Sequence, residues 1–96
     1  MQNYKIKWTP KALKLFNSYI DWYERVASLE VASKFSICIK ECEQNILNNP
    51  YMARQIDEIE ELREYVVQKY PFLISYYINN DKIVITSLLH QKQNKE

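Results

Sequence analysis

Tyr4, Ile6 and Trp8 alternate with Lys5 and Lys7, a period of two that predicts a short strand with one apolar and one cationic face. Thr9 and Pro10 stop it and open a helix, because Thr accepts from the first free amides and Pro supplies a preset φ where its missing N–H has no partner. The helix should run from about Pro10 to Arg25. Leu13, Phe16, Ile20 and Tyr23 recur every three or four residues, Ala12, Leu15 and Tyr19 widen the stripe, and Lys11, Lys14, Asp21 and Glu24 lie off it. Ser28 caps a second helix over about Leu29–Asn48, with Val31, Ala32, Phe35, Cys38, Ile39, Cys42, Ile46 and Leu47 on its buried side. A connection this short makes the two helices an antiparallel hairpin, whose combined apolar face needs a sheet to cover it.

Asn48, Asn49 and Pro50 end the second helix, and the acid-rich stretch Tyr51–Glu61 reads as a surface loop with a helical turn around Ile56–Glu61. From Leu62 to His90 the chain reads as three strands in succession: LREYVV, then a strand over Phe72–Ile78 within QKYPFLISYYI, then one over Lys82–Leu89 within KIVITSLLH. Asn79, Asn80 and Asp81 form the turn between the last two, since Asn and Asp tolerate left-handed backbone. Ile83, Val84 and Ile85 form a continuous apolar run, the pattern of a strand covered on much of both faces. Pro71, which cannot donate a ladder hydrogen bond, belongs at a strand start or edge.

Ninety-six residues make one small domain, 1–96, that buries only about 60–65% of its unfolded surface. Thirteen Lys and Arg against twelve Asp and Glu leave a formal charge of +1, so nucleic-acid contact would need a local basic patch. Glycine is absent, which removes Gly-rich phosphate loops, dinucleotide fingerprints and nucleophile elbows, and no cofactor is expected. Cys38 and Cys42, four apart on one helix face, suit neither a zinc knuckle nor a disulfide and read as buried reduced thiols. The N-terminus lacks an apolar signal core and no run approaches a membrane span, so a soluble, cytoplasmic protein without membrane contact is expected.

The order strand, helix, helix, three strands, together with WTPKALKLF, NNP, LRE, YPFLISYYI and ITSLLHQKQ, resembles the RelE/ParE superfamily of bacterial type II toxin–antitoxin toxins over nearly the whole chain. The resemblance implies an α+β fold: a four-stranded antiparallel sheet with an N-terminal α-helical hairpin packed on one face (β-α-α-β-β-β). It also implies a cognate antitoxin protein as partner. RelE-like members cleave messenger RNA on the ribosome with basic residues, whereas ParE-like members bind and poison DNA gyrase. Aligned on Tyr76, the positions of the three ribonuclease cations are Leu73, Glu64 and Val66 in this chain, and Glu64 would repel a phosphate. With LRE and a last strand ending in Leu89 and His90, the sequence is closer to the ParE-like branch. The expected function is therefore a gyrase-directed toxin; an mRNA endonuclease and a decayed toxin that only binds its antitoxin are the alternatives.

Candidate residues follow. His90 is the single histidine, open to acid–base chemistry or to a structural role at the strand end. Arg63 suits a phosphate or a partner carboxylate, or a pairing with Glu58, Glu60, Glu61 or Glu64. A ribonuclease would use His90, Arg63, Lys92 and Tyr76; a target- or partner-binding surface would use Arg63, Tyr77, His90 and Lys92. Lys5, Lys7, Arg54, Lys92 and Lys95 form a basic patch if the strands gather them, and scattered solvated charge otherwise. Tyr19, Tyr23, Tyr65, Tyr76 and Tyr77 fit core edges, with Tyr77 and Tyr70 alternatively on a partner surface. The acidic run Asp57–Glu61 reads as a solvated face, and no metal is expected.

Overall fold

The computed structural model describes residues 3–57 and 61–91, with nothing stated of the Asp57 side chain. The chain runs β1 (Lys5–Trp8), α1 (Pro10–Val26), α2 (Leu29–Asn48), β2 (Arg54–Asp57), β3 (Leu62–Val66), β4 (Phe72–Asn79) and β5 (Lys82–His90). Both helix starts form as their caps dictate. Thr9 Oγ1 accepts from the Ala12 amide and Ser28 Oγ from the Val31 amide, each at 3.1 Å.

The sheet has five strands in the order β1-β5-β4-β3-β2, which corrects the four-stranded antiparallel expectation twice. First, β1 pairs with β5 in parallel, Lys5 beside Lys82 and Trp8 beside Ile85. Burial alternates identically in a parallel and an antiparallel edge strand, so the pattern of residues 4–8 carries no direction. Second, the expected surface loop contains β2, which pairs antiparallel with β3 and shifts register between Gln55 and Asp57. Arg54, Gln55 and Ile56 are all exposed. An edge strand so placed needs no apolar alternation, and that is why its sequence reads as loop.

β3, β4 and β5 form the antiparallel meander that residues 62–90 foretell. The β4–β5 turn carries Asn80 at φ 58°, a left-handed position that a glycine-free chain fills with Asn. A bulge re-aims β5: Ser75 faces Ser87 but Tyr76 faces Ile85, so Thr86 is the extra residue, and its Oγ1 donates to the Ser75 carbonyl at 3.2 Å. The extra residue switches parity, so Ile83 and Ile85 before it and Leu88 and His90 after it share the helix-covered face.

That face carries the core: Phe72, Ile74, Tyr76, Ile83, Ile85 and Leu88 from the sheet meet Ala12, Phe16, Phe35, Ile39, Cys42 and Ile46 from the helices. Phe35 sits at its centre, with ring centroids 5.0 Å from Tyr23, 5.1 Å from Phe72, 5.4 Å from Tyr70 and 6.0 Å from Phe16. Leu13, assigned above to the buried stripe, is instead 47% exposed. Trp8 stacks on Phe16 at 5.2 Å and its indole N–H donates to the Glu43 carboxylate, tying β1 to both helices.

Candidate functional site

Among the described residues no helix covers the opposite face of the sheet, and strand alternation assigns its side chains. Cross-strand pairs Glu64–Ser75 and Val66–Leu73 lie on that face, because their neighbours Tyr65, Ile74 and Tyr76 point to the core. Thus the three positions that the RelE resemblance gives to cations are gathered in one place. They hold a carboxylate and two aliphatic side chains, Val66 being 49% exposed. The cation nearest them along the ladder is Arg54, opposite Glu64, and its Nη2 donates to Glu64 Oε1 at 3.0 Å. That ion pair neutralises the region, and among the described residues no other cation is paired across the ladder with these positions, where a dianionic phosphorane would need positive charge.

Arg63 points to the other face. Its Nη1 donates to the carbonyls of Ala53 at 2.8 Å and Tyr51 at 3.2 Å, and the guanidinium lies 5.0 Å from the centroid of the Tyr51 ring. The pairing with a neighbouring Glu considered above is not what forms: Glu64 goes to Arg54, Glu61 makes no ion pair with Arg63, and Glu58 and Glu60 lie outside the described residues. Tyr76 is fully buried, and its hydroxyl donates to the Pro50 carbonyl at 2.6 Å. Burial pushes its phenol pKa up, opposed by the Arg63 charge and the Ala53 backbone hydrogen bond. Tyr76 and Arg63 together therefore pin the segment 50–53 that delivers the chain into β2.

His90 ends β5 opposite Phe72, its ring 5.1 Å from the phenyl centroid in an edge-on arrangement. Four residues of β4 separate its register position from that of Arg63, about 13 Å at the usual strand rise. The imidazole, the guanidinium and the Tyr76 hydroxyl are therefore not brought to one reacting atom. Tyr77 is half-buried on the open face, opposite Val84. Tyr70 packs into the core cluster near Tyr23 and Phe35, so the two tyrosines do not share a surface. Lys92 and Lys95 lie outside the described residues.

The cations considered as one patch are divided. Lys5 and Lys7 stand on β1 at one edge of the sheet and Arg54 on β2 at the other. Lys82, which sequence reasoning passed over, stands directly beside Lys5. Only the parallel β1–β5 register reveals that neighbour. Cys38 and Cys42 are buried free thiols; burial pushes Cys42 up to about 12, with Cys38 adding to it. No group of three potential metal ligands occurs among the described residues. No helix among them is long and apolar enough to cross a membrane.

The comparisons with known proteins agree with this architecture. No curated protein sequence matches the chain. Among the solved structures that match is a chain described as the chromosomal ParDE TA system from P. aeruginosa, with a TM-score of 0.79 and 22% sequence identity over 91% of this chain and 95% of that one. At that identity the likeness speaks for the fold. The model of the family described as "ParE toxin of type II toxin-antitoxin system, parDE" matches residues 6–95, from the first strand to beyond the last, and the chain accordingly belongs to the ParE toxin family.

Proposed function

We propose that this chain is the growth-arresting toxin of a toxin–antitoxin pair, that it acts in the cytoplasm by binding and poisoning DNA gyrase, and that a cognate antitoxin protein neutralises it. The observation that carries the reading is the replacement of cations by Glu64, Val66 and Leu73 on one sheet face, with Arg54 consumed by Glu64. A ribonuclease must place positive charge against the scissile phosphate and move protons beside it. Of the residues a cutter would use, the three that are described are dispersed: Tyr76 is sealed in the core, Arg63 holds backbone carbonyls, and His90 packs on Phe72. A toxin without such chemistry acts by occupying a protein target.

The test is a supercoiling assay with purified gyrase and the purified chain. Supercoiling should be inhibited and cleaved DNA should accumulate; unimpaired supercoiling at molar excess of the chain would refute the reading. Primer extension on translating messages should show no new breaks. Breaks that disappear in His90→Ala would establish the endonuclease instead, and expression without any growth defect would leave a protein that only binds its antitoxin.

A further inference from the structure

Ile83, Val84 and Ile85 make the continuous apolar run of a strand covered on both faces, yet among the described residues the fold covers only one. Ile83 and Ile85 are fully buried under the helices, whereas Val84 lies partly exposed on the open face, opposite Tyr77. Four rows of cross-strand neighbours map that face. Asn79–Lys82–Lys5 and Tyr77–Val84–Lys7 lie at one end, Leu89–Leu73–Val66 at the other, and Ser87–Ser75–Glu64–Arg54 between them. The face therefore grades along the strands from cationic through hydroxyl-bearing to aliphatic. Six residues of β4 separate Leu73 from Asn79, about 20 Å at the usual strand rise.

Neither end is satisfied by the described residues. At the aliphatic end Val66 is half-exposed and Leu73 and Leu89 partly so, an apolar row of the kind that a partner removes from water. At the cationic end Lys5 and Lys7 have no ion-pair partner among the described residues, and Lys82 meets Asp81 only at 4.0 Å with both side chains half in water. Lys82 also stands directly beside Lys5, a like-charge pair that costs stability in an isolated sheet.

A nucleic-acid backbone does not match this gradient. A duplex carries a charge about every 1.7 Å of its axis, and the hydroxyl and aliphatic rows hold no cation but Arg54, which Glu64 already takes. A second copy of this chain does not match it either. Such a copy would bring the same lysines, and in these four rows Glu64 is the one carboxylate, held by Arg54. A different protein, with carboxylates about 20 Å from an apolar ridge, satisfies both ends at once.

We infer that the open sheet face is the surface that seats this chain on its gyrase target, with Lys5, Lys7 and Lys82 meeting carboxylates of the enzyme while Val66, Leu73 and Leu89 bury against an apolar ridge. The inference rests on the gyrase reading above. It gives Val66 and Leu73 a use in place of the missing cations: they offer apolar area to a protein where a ribonuclease would hold a phosphate.

The full chain and purified gyrase supply two measurements. Hydroxyl-radical oxidation of Leu73, Tyr77 and Leu89 should fall at least about threefold in the gyrase complex, while Leu13 and Trp22, exposed on α1, stay as reactive as in the free chain. In the supercoiling assay Lys5→Ala/Lys7→Ala should raise the half-inhibiting concentration roughly 3- to 10-fold and flatten its salt dependence, and Lys5→Glu/Lys7→Glu should raise it further. Val66→Ser/Leu89→Ser should raise it about 10-fold and leave the salt dependence as it was. Circular dichroism reports whether each variant folds, and the oxidation pattern of the unmodified chain decides the matter without them. Protection confined to α1 and α2, or folded variants that inhibit at the original concentration, would overturn the inference and leave the gyrase reading standing. So would variants that change only self-association in sedimentation, or only the binding of a duplex oligonucleotide. Failure of the unmodified chain to inhibit gyrase would overturn that reading and this inference with it.

Discussion

Tyr76→Phe isolates the contact that anchors the 50–53 segment. The substitution keeps the ring, which is wholly buried between the sheet and α2, and removes only the oxygen whose proton goes to the Pro50 carbonyl at 2.6 Å. Pro50 is itself buried, so its carbonyl would be left without a partner or water to replace it. A net hydrogen bond contributes about 1 kcal/mol, and an orphaned buried acceptor raises the loss to roughly 2 kcal/mol. For a domain of this size that corresponds to a fall in Tm of about 8–16 °C. Tyr77→Phe is the matched control, because Tyr77 is on the open face and its hydroxyl makes no hydrogen bond among the described residues, and it should change stability by less than about 0.5 kcal/mol. Thermal unfolding followed by circular dichroism measures both. Because the lost bond lies beside the entry to β2, exchange of the Arg54 and Gln55 amides should also quicken, while that of β4 and β5 follows global stability. Equal Tm values for Tyr76→Phe and Tyr77→Phe would refute the argument that this hydroxyl anchors the segment.

Phe35→Ala removes the ring at the centre of the aromatic cluster and should cost about 3–5 kcal/mol, enough to leave the chain largely unfolded at 37 °C in a urea titration. Thr9→Ala deletes the cap of α1 and should cost about 1 kcal/mol, with Thr9→Ser restoring most of it. Alkaline pH should destabilise the fold. Cys42 is raised from 9.0 to about 12, so the unfolded thiol ionises first, the unfolded state binds fewer protons, and stability falls as pH rises above about 9. The raised phenols of Tyr23, Tyr65 and Tyr76 add to this above about 10. Cys42→Ala should flatten the stability curve between about pH 9 and 10 relative to the native chain, which unfolding at fixed urea across that range would reveal.

Taken alone, the sequence determined the elements whose signals are local. Cap residues, the three- and four-residue apolar spacing and the Asn-Asn-Asp turn specify α1, α2 and the β4–β5 hairpin, because each is stabilised by neighbours along the chain. It also exposed the missing cations, since Glu64, Val66 and Leu73 carry their chemistry wherever they are placed. Tertiary structure decided the rest. β2 has no apolar period because it needs only one paired side, and β1 runs parallel to β5 because burial alternation is blind to strand direction. The Thr86 bulge turns Leu88 and His90 toward the helices by adding one residue, a change that no propensity announces. The fate of Arg63 was equally hidden. Its partners are two backbone carbonyls ten and twelve positions away, presented only once the chain before β2 is drawn over the sheet.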